Sequence, residues 1–271
     1  MLRKLMKHEL RATGRVMGPL LLLVLVAAVG GNLSTYRLLE TGNGVLNTLG
    51  VLLLMGYTIA FVASGVMAFV LMVQRFYQNL LRDEGYLTMT LPVSVHEHIW
   101  AKLLVSLIWW IAVLAVAAVS MLILVFSRNM MQEIGEILAH LHIGDLNLSQ
   151  NLPHIVLFCV ELALLLAVGG ACVCLHFYAA LAVGHSFTHH KDALSVAGFF
   201  AMPVIWHFIE RIAMFLLNLM NPEGVMLWLQ SLQPATHTHL TMLGVTVVTA
   251  IPAALYYLIT AYFLKNRLNL G

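Results

Sequence analysis

The chain has 271 residues, of which 61% are hydrophobic and only 10% charged. Soluble domains carry about 45–50% apolar and about 25% charged residues, so charge is too scarce here to solvate a globular surface, and a water-soluble fold is excluded. A net charge of +2, from 14 basic and 12 acidic residues, argues against nucleic acid as the main partner.

Crossing a hydrocarbon layer about 30 Å thick takes about 20 apolar residues in helix. Lipid offers no partner to open backbone groups, so helices are the default spanning element. Six stretches qualify, at about 16–34, 48–73, 103–126, 155–184, 193–217 and 240–264. No internal repeat or low-complexity linker divides the sequence, so a single transmembrane domain over 1–271 is predicted, all-α in class. The first stretch reads as a retained span rather than a cleavable signal peptide, because the flank Met1–Arg15 is long and no clean small-residue site follows. Cys159, Cys172 and Cys174 all fall in the fourth stretch, and an odd number in one apolar segment suggests no disulfide framework.

Lysine and arginine set the orientation. With the N-terminus inside, one side carries Arg3, Lys4, Lys7, Arg11, Arg15, Arg75, Arg82, Lys102, Lys191, Lys265 and Arg267. The other side holds only Arg37 and Arg128, and Arg211 falls inside a span. Both termini are therefore expected in the cytoplasm, and an even number of spans agrees with their lying on one side.

Segment 1–15 places Leu2, Leu5, Met6 and Leu10 on one face and Arg3, Lys4, Lys7 and Arg11 elsewhere, the pattern of an amphipathic helix on the inner leaflet. Between the second and third spans, Phe76, Tyr77, Leu80 and Leu81 continue a helix beyond the membrane, and Asp83-Glu84-Gly85 breaks it. Tyr86–Leu91 leads to Pro92, and Ser94 with Glu97 forms a capping box that starts the third span. A mere re-entry turn needs about 4–8 residues, whereas this connection keeps Tyr86, Leu87, Met89 and Leu91 near water, where apolar groups need a partner. On the far side, Asn129–Ile143 repeats an amphipathic pattern with Met130, Ile134, Ile137, Leu138 and Leu141 on one side and acidic Glu133 and Glu136 on the other. Asn221-Pro222 and Gln233-Pro234 punctuate the last large loop.

Phe76 through Lys102, with Asp83-Glu84-Gly85-Tyr86-Leu87-Thr88 and Thr90-Leu91-Pro92-Val93-Ser94, resembles the coupling loop of permease subunits in type-2 ATP-binding-cassette (ABC) exporters. Lys7-His8-Glu9-Leu10-Arg11-Ala12-Thr13 resembles that family's amphipathic connecting helix. Gly184-His185-Ser186-Phe187-Thr188 with His190-Lys191 resembles its second cytoplasmic loop, and Leu264–Leu270 resembles an ending common in Gram-positive permeases. The histidine-rich His96-Glu97-His98 departs from the pattern and leaves the coupling contacts open.

The resemblance implies a permease of the bacterial cytoplasmic membrane, paired with a second copy or a paralogue and driven by a separate cytoplasmic ABC ATPase. Glu84, Gly85, Tyr86, Leu87, Thr88, Met89, Leu91 and Pro92 would make the ATPase contact, Glu84 pairing with a basic group while the apolar side chains fill a groove. The implied substrate is amphipathic, a peptide, lipid or drug moved outward. The chain holds no G-x-x-x-x-G-K-[ST] loop. It is therefore expected to be no enzyme and to need no cofactor of its own, ATP being bound by the partner.

A carboxylate or guanidinium at mid-bilayer costs about 2.5–3.5 kcal/mol on insertion scales and so faces a cavity or a partner. Glu161 in the fourth span, and Glu210 with Arg211 in the fifth, are read either as polar elements of the translocation path or as inter-helix ion pairs and interfacial groups. Two other functions compete with the first. An ATPase-independent secondary transporter or channel would show repeated halves and midplane charges. A membrane di-iron desaturase or hydroxylase is suggested by His185-x-x-x-His189-His190, but His140/His142 and His237/His239 fall on the opposite side by the charge rule, so the boxes do not converge. No metal ligand set is predicted, and His96-Glu97-His98 is not a zinc-protease motif because Trp100 stands where the second ligand belongs. Gly56, Ala60, Gly65, Gly169, Gly170 and Ala171 permit close helix approach, within the subunit or at a dimer seam.

Overall fold

A computed structural model describes residues 2–34, 44–81, 93–125, 148–187, 189–219, 224, 227 and 231–267. Among them run six long helices and no strands: α1 (Leu2–Leu33), α2 (Gly44–Leu81), α3 (Val95–Val125), α4 (Leu148–Gly184), α5 (Lys191–Leu219) and α6 (Pro234–Asn266). All six are long and apolar enough to cross a membrane. The 38 residues of α2 make a helix of about 57 Å, well beyond the hydrocarbon thickness, so it extends past the bilayer core. Segment 129–143, the turn at 221–222 and the tail beyond 267 lie outside the described residues.

The predicted interfacial segment and first span form one helix, α1, without a break at Val16. Its amphipathic pattern holds: Leu2, Leu5, Met6 and Leu10 are half-buried, while Arg3, Lys4, Lys7, Arg11 and Arg15 are exposed. Pro19 lies inside the helix. Such prolines are tolerated in membrane helices because neighbouring groups satisfy the freed carbonyl.

The chain divides into two compact units, Met1–Met72 with Leu104–Asn151, and Val73–Leu103 with Leu152–Gly271. In the first unit, Val24 and Ala28 of α1 pack on Tyr57 and Ala60 of α2, with Val116, Ile123 and Leu124 of α3 closing the cluster. Met17, Leu21 and Ala68 form a second cluster beside Trp109 and Val113. Lipid is as apolar as these side chains, so close packing and hydrogen bonds hold the helices together rather than exclusion of water. The Trp109 indole N–H donates to Thr13 Oγ1 at 2.7 Å, and that hydroxyl donates to the Glu9 carbonyl at 2.8 Å. Ser120 Oγ donates to the Ala117 carbonyl, so the Tyr57 hydroxyl donates to Ser120 at 3.0 Å. Asn32 Nδ2 donates to the Ile123 carbonyl at 2.7 Å, tying the end of α1 to the end of α3.

The second unit gathers α4, α5 and α6 with the end of α2 and the start of α3. Its buried residues include Phe76, Leu80, Ile99, Cys174, Tyr178 and Ala179. Large apolar side chains elsewhere point outward, as Phe200 and Phe208 of α5 do, each 65% exposed. Such a surface suits lipid and not water. Hydroxyls on α6 are satisfied within the helix, Thr246 and Thr260 donating to the carbonyls of Met242 and Tyr256.

The small residues divide into two groups. Among the described residues a methyl group added at Gly56, Gly65 or Gly169 would meet nothing within 4 Å, so none of the three marks a close helix approach there. At Gly184 it would strike the backbone of Ser195, and at Gly31 it would meet Leu124 at 2.8 Å. Backbone cannot move aside as a side-chain tip can. Gly184→Ala is therefore expected to destabilise the purified chain by about 1–3 kcal/mol, as overpacking does, read as a lowered thermal midpoint in detergent. Gly18→Ala, with open space around it, is expected to leave that midpoint unchanged or raise it.

Candidate functional site: the approaches to the 82–92 connection

Residues Glu84, Gly85, Tyr86, Leu87, Thr88, Met89, Leu91 and Pro92 lie outside the described residues. The helices that lead into and out of them are described, and each is anchored. Phe76 is fully buried, and its ring stacks on that of Tyr178 of α4 with centroids 4.0 Å apart and planes 7° from parallel. One residue on, Tyr77 meets the His185 ring edge-on at 5.2 Å. Leu80 and Leu81 are buried too, so α2 stays packed to its last residue. The apolar run 76–81, expected to continue the helix beyond the second span, is helical to Leu81.

On the return side, the capping box forms as predicted. The Glu97 N–H donates to Ser94 Oγ at 3.3 Å, and the Ser94 N–H donates to Glu97 Oε2 at 3.4 Å. Two of the donors that every helix start leaves open are thus satisfied. His96 Nδ1 and the Tyr257 hydroxyl of α6 are hydrogen-bonded at 2.6 Å, and Trp100 lies against the same tyrosine ring at 5.8 Å. His98 and Lys102 are buried, at 3% and 5% exposure. The stalk before the connection is therefore held by α4 and the stalk after it by α6.

The turn between α4 and α5 supports the first stalk. His185 is buried, and its Nδ1–H donates to the Leu181 carbonyl at 3.0 Å, which leaves Nε2 turned toward the Asp192 carboxylate at 4.0 Å. Ser195, pressed against Gly184, donates to the Lys191 carbonyl at 2.9 Å. His190 takes a left-handed φ of 56°, a conformation in which histidine is among the enriched non-glycine residues. Its carbonyl accepts the N–H of Leu194 and so starts α5. His185 thus faces the protein interior while His189 and His190 are exposed, and the three do not form one box. Among the described residues no three His, Cys, Asp or Glu side chains converge as metal ligands.

The intramembrane charges separate. Glu161 is buried, and its Oε2 lies 2.8 Å from Nδ1 of His239 on α6. Among the described residues Glu210 and Arg211 do not bridge helices. Glu210 Oε1 accepts the indole N–H of Trp206 at 2.6 Å, and Arg211 Nε donates to His207 Nε2 at 3.4 Å, all on α5. The pairs that sequence reasoning missed, His96–Tyr257 and Glu161–His239, are 161 and 78 residues apart. No local pattern signals them.

Six helices long and apolar enough to cross a membrane define a multi-pass membrane protein. The family model for the ABC-2 family transporter protein matches residues 45–216, and the chain belongs to that family. It is thus a transmembrane, permease-type subunit of an ABC transporter. No curated protein and no solved structure matches the chain.

Among the described residues the Phe76–Tyr178 stack is the tightest aromatic contact of the site. Phe76→Ala is expected to cost about 3–5 kcal/mol, as loss of a buried phenylalanine does. In a double-mutant cycle with Tyr178→Leu, Phe76→Leu is expected to show a coupling of about 0.5–1.5 kcal/mol, measured by denaturant unfolding in detergent.

Proposed function

We propose that this subunit works with a separate cytoplasmic ABC ATPase as one half of a paired permease, exporting an amphipathic substrate such as a peptide, lipid or drug across the bacterial cytoplasmic membrane. ATP is bound by the partner, and the connection at 82–92 receives its stroke. The observation that carries the reading is the double anchoring of that connection, α2 on α4 through Phe76 and Tyr77 and α3 on α6 through His96 and Trp100. A loop fixed at both stalks passes a push to the helices behind it, whereas a slack loop absorbs it. Rigid-body tilting of helices around such a lever is a common route between inward- and outward-open states.

Both termini face the cytoplasm in this reading. The exposed Arg3, Lys4, Lys7, Arg11 and Arg15 on α1 and the exposed Lys265 and Arg267 at the end of α6 support that placement through the preference of basic residues for the inner side. The open faces of Gly56 and Gly65 leave room for a second permease copy or a paralogue.

Two experiments test the proposal. Glu84→Ala combined with Leu87→Asp is expected to abolish co-purification of the ATPase while the permease still reaches the membrane; retained co-purification and transport would refute the contact. Single cysteines at Asp83 and Asp145 are expected to react with an impermeant thiol reagent from opposite sides of sealed cells, and labelling from the same side would refute the topology.

A further inference from the structure

At the N-terminal ends of α4 and α6 three ionisable groups stand in a row. Glu161 is the innermost, its side chain only 6% exposed. Its Oε2 meets His239 Nδ1 at 2.8 Å, and His239 Nε2 meets His154 Nδ1 at 3.2 Å, the two rings lying 21° from parallel. His154 is exposed and His239 half-buried. Positions 154 and 161 share one face of α4, about two turns or 10 Å apart along the axis. Exposure therefore falls step by step from the helix end to the carboxylate.

With Glu161 ionised, the carboxylate fixes which ring nitrogens donate and which accept. An ionised Glu161 only accepts, so His239 Nδ1 carries the proton and Nε2 carries a lone pair. That lone pair accepts from His154 Nδ1–H, which leaves His154 Nε2 free to take a proton from water. Among the described residues, the three groups have hydrogen-bond and ionic contacts only with one another. The ionisable groups of α5 nearest its C-terminal end, His207, Glu210 and Arg211, are engaged among themselves and with Trp206. On α6, His237 is exposed.

We propose that Glu161, His239 and His154 form a proton relay that binds one proton and delivers it to the buried carboxylate. A hydronium ion gives its proton to His154 Nε2 and leaves as water. The Nδ1–H bond of His154 breaks as an Nε2–H bond forms on His239, and the Nδ1–H bond of His239 breaks as an O–H bond forms on Glu161. In the product the Glu161 hydroxyl donates to His239 Nδ1 and His239 Nε2–H donates to His154 Nδ1. Both contacts survive with their direction reversed, so the heavy atoms need not move. Chains of this composition inside membrane proteins mark proton pathways. The relay holds with or without an ATPase partner.

Infrared difference spectroscopy on the purified full-length chain tests this, comparing neutral with mildly acidic buffer. The wild type is expected to gain a carboxylic acid C=O band that Glu161→Gln lacks. After a pH jump, His154→Ala is expected to slow the appearance of that band by about a hundredfold, the low end of what a positioned proton-transfer group contributes. His154 is exposed, so this variant folds even if a substitution at His239 does not. Absence of any band sensitive to Glu161→Gln, or a band that rises equally fast in His154→Ala, would overturn the proposal.

Discussion

A bilayer interior gives a peptide N–H or C=O nothing to bond to, and each orphaned group costs several kcal/mol. Six long helices meet that demand for the backbone. The same constraint governs the side chains. Thr246 and Thr260 turn their hydroxyls onto carbonyls of their own helix, Tyr57 finds Ser120, and Trp109 finds Thr13. Because lipid removes most of the hydrophobic drive for helix association, these few polar contacts and the close approaches at Gly31 and Gly184 set which helices meet. Substitutions there act on the arrangement of the spans more than on their existence.

Within the unit that carries α4, α5 and α6, contacts toward both ends of α4 join it to its neighbours. At one end, Phe76 on Tyr178, Tyr77 on His185 and His96 on Tyr257 hold the approaches to the 82–92 connection. At the other, Glu161, His239 and His154 join α4 to α6. Helix α4 takes part in both sets, through Tyr178 and His185 near one end and His154 and Glu161 near the other. The stacked ring pair is nearly parallel, and both Phe76 and Tyr178 are fully buried.

Much of the fold was legible in the sequence because bilayer thickness converts directly into a length of apolar chain. The six spans, the continuation of α2 through Phe76–Leu81 and the Ser94–Glu97 capping box all follow from local spacing. The join of segment 1–15 to the first span was not legible. Arg15 marks a change of polarity, but nothing at Val16 breaks the hydrogen bonding, and α1 runs through. The partners of Glu161 and His96 were not legible either, since a contact between residues 78 or 161 positions apart leaves no periodic trace. Glu210 shows the converse limit. Its charge suggested a bridge between helices, while Trp206 one turn earlier on α5 supplies the hydrogen bond locally.

The proposed export function requires that the connection between the second and third spans meet an ATPase on the cytoplasmic side. The most direct measurement is a photo-crosslink from Leu87→Cys, modified with a thiol-reactive benzophenone, in membranes that also contain the ABC ATPase. The account predicts an adduct whose mass is the sum of the two subunits and whose yield changes when ATP is added. An adduct with lipid alone, or labelling of that cysteine from the outer face of intact cells, would contradict it.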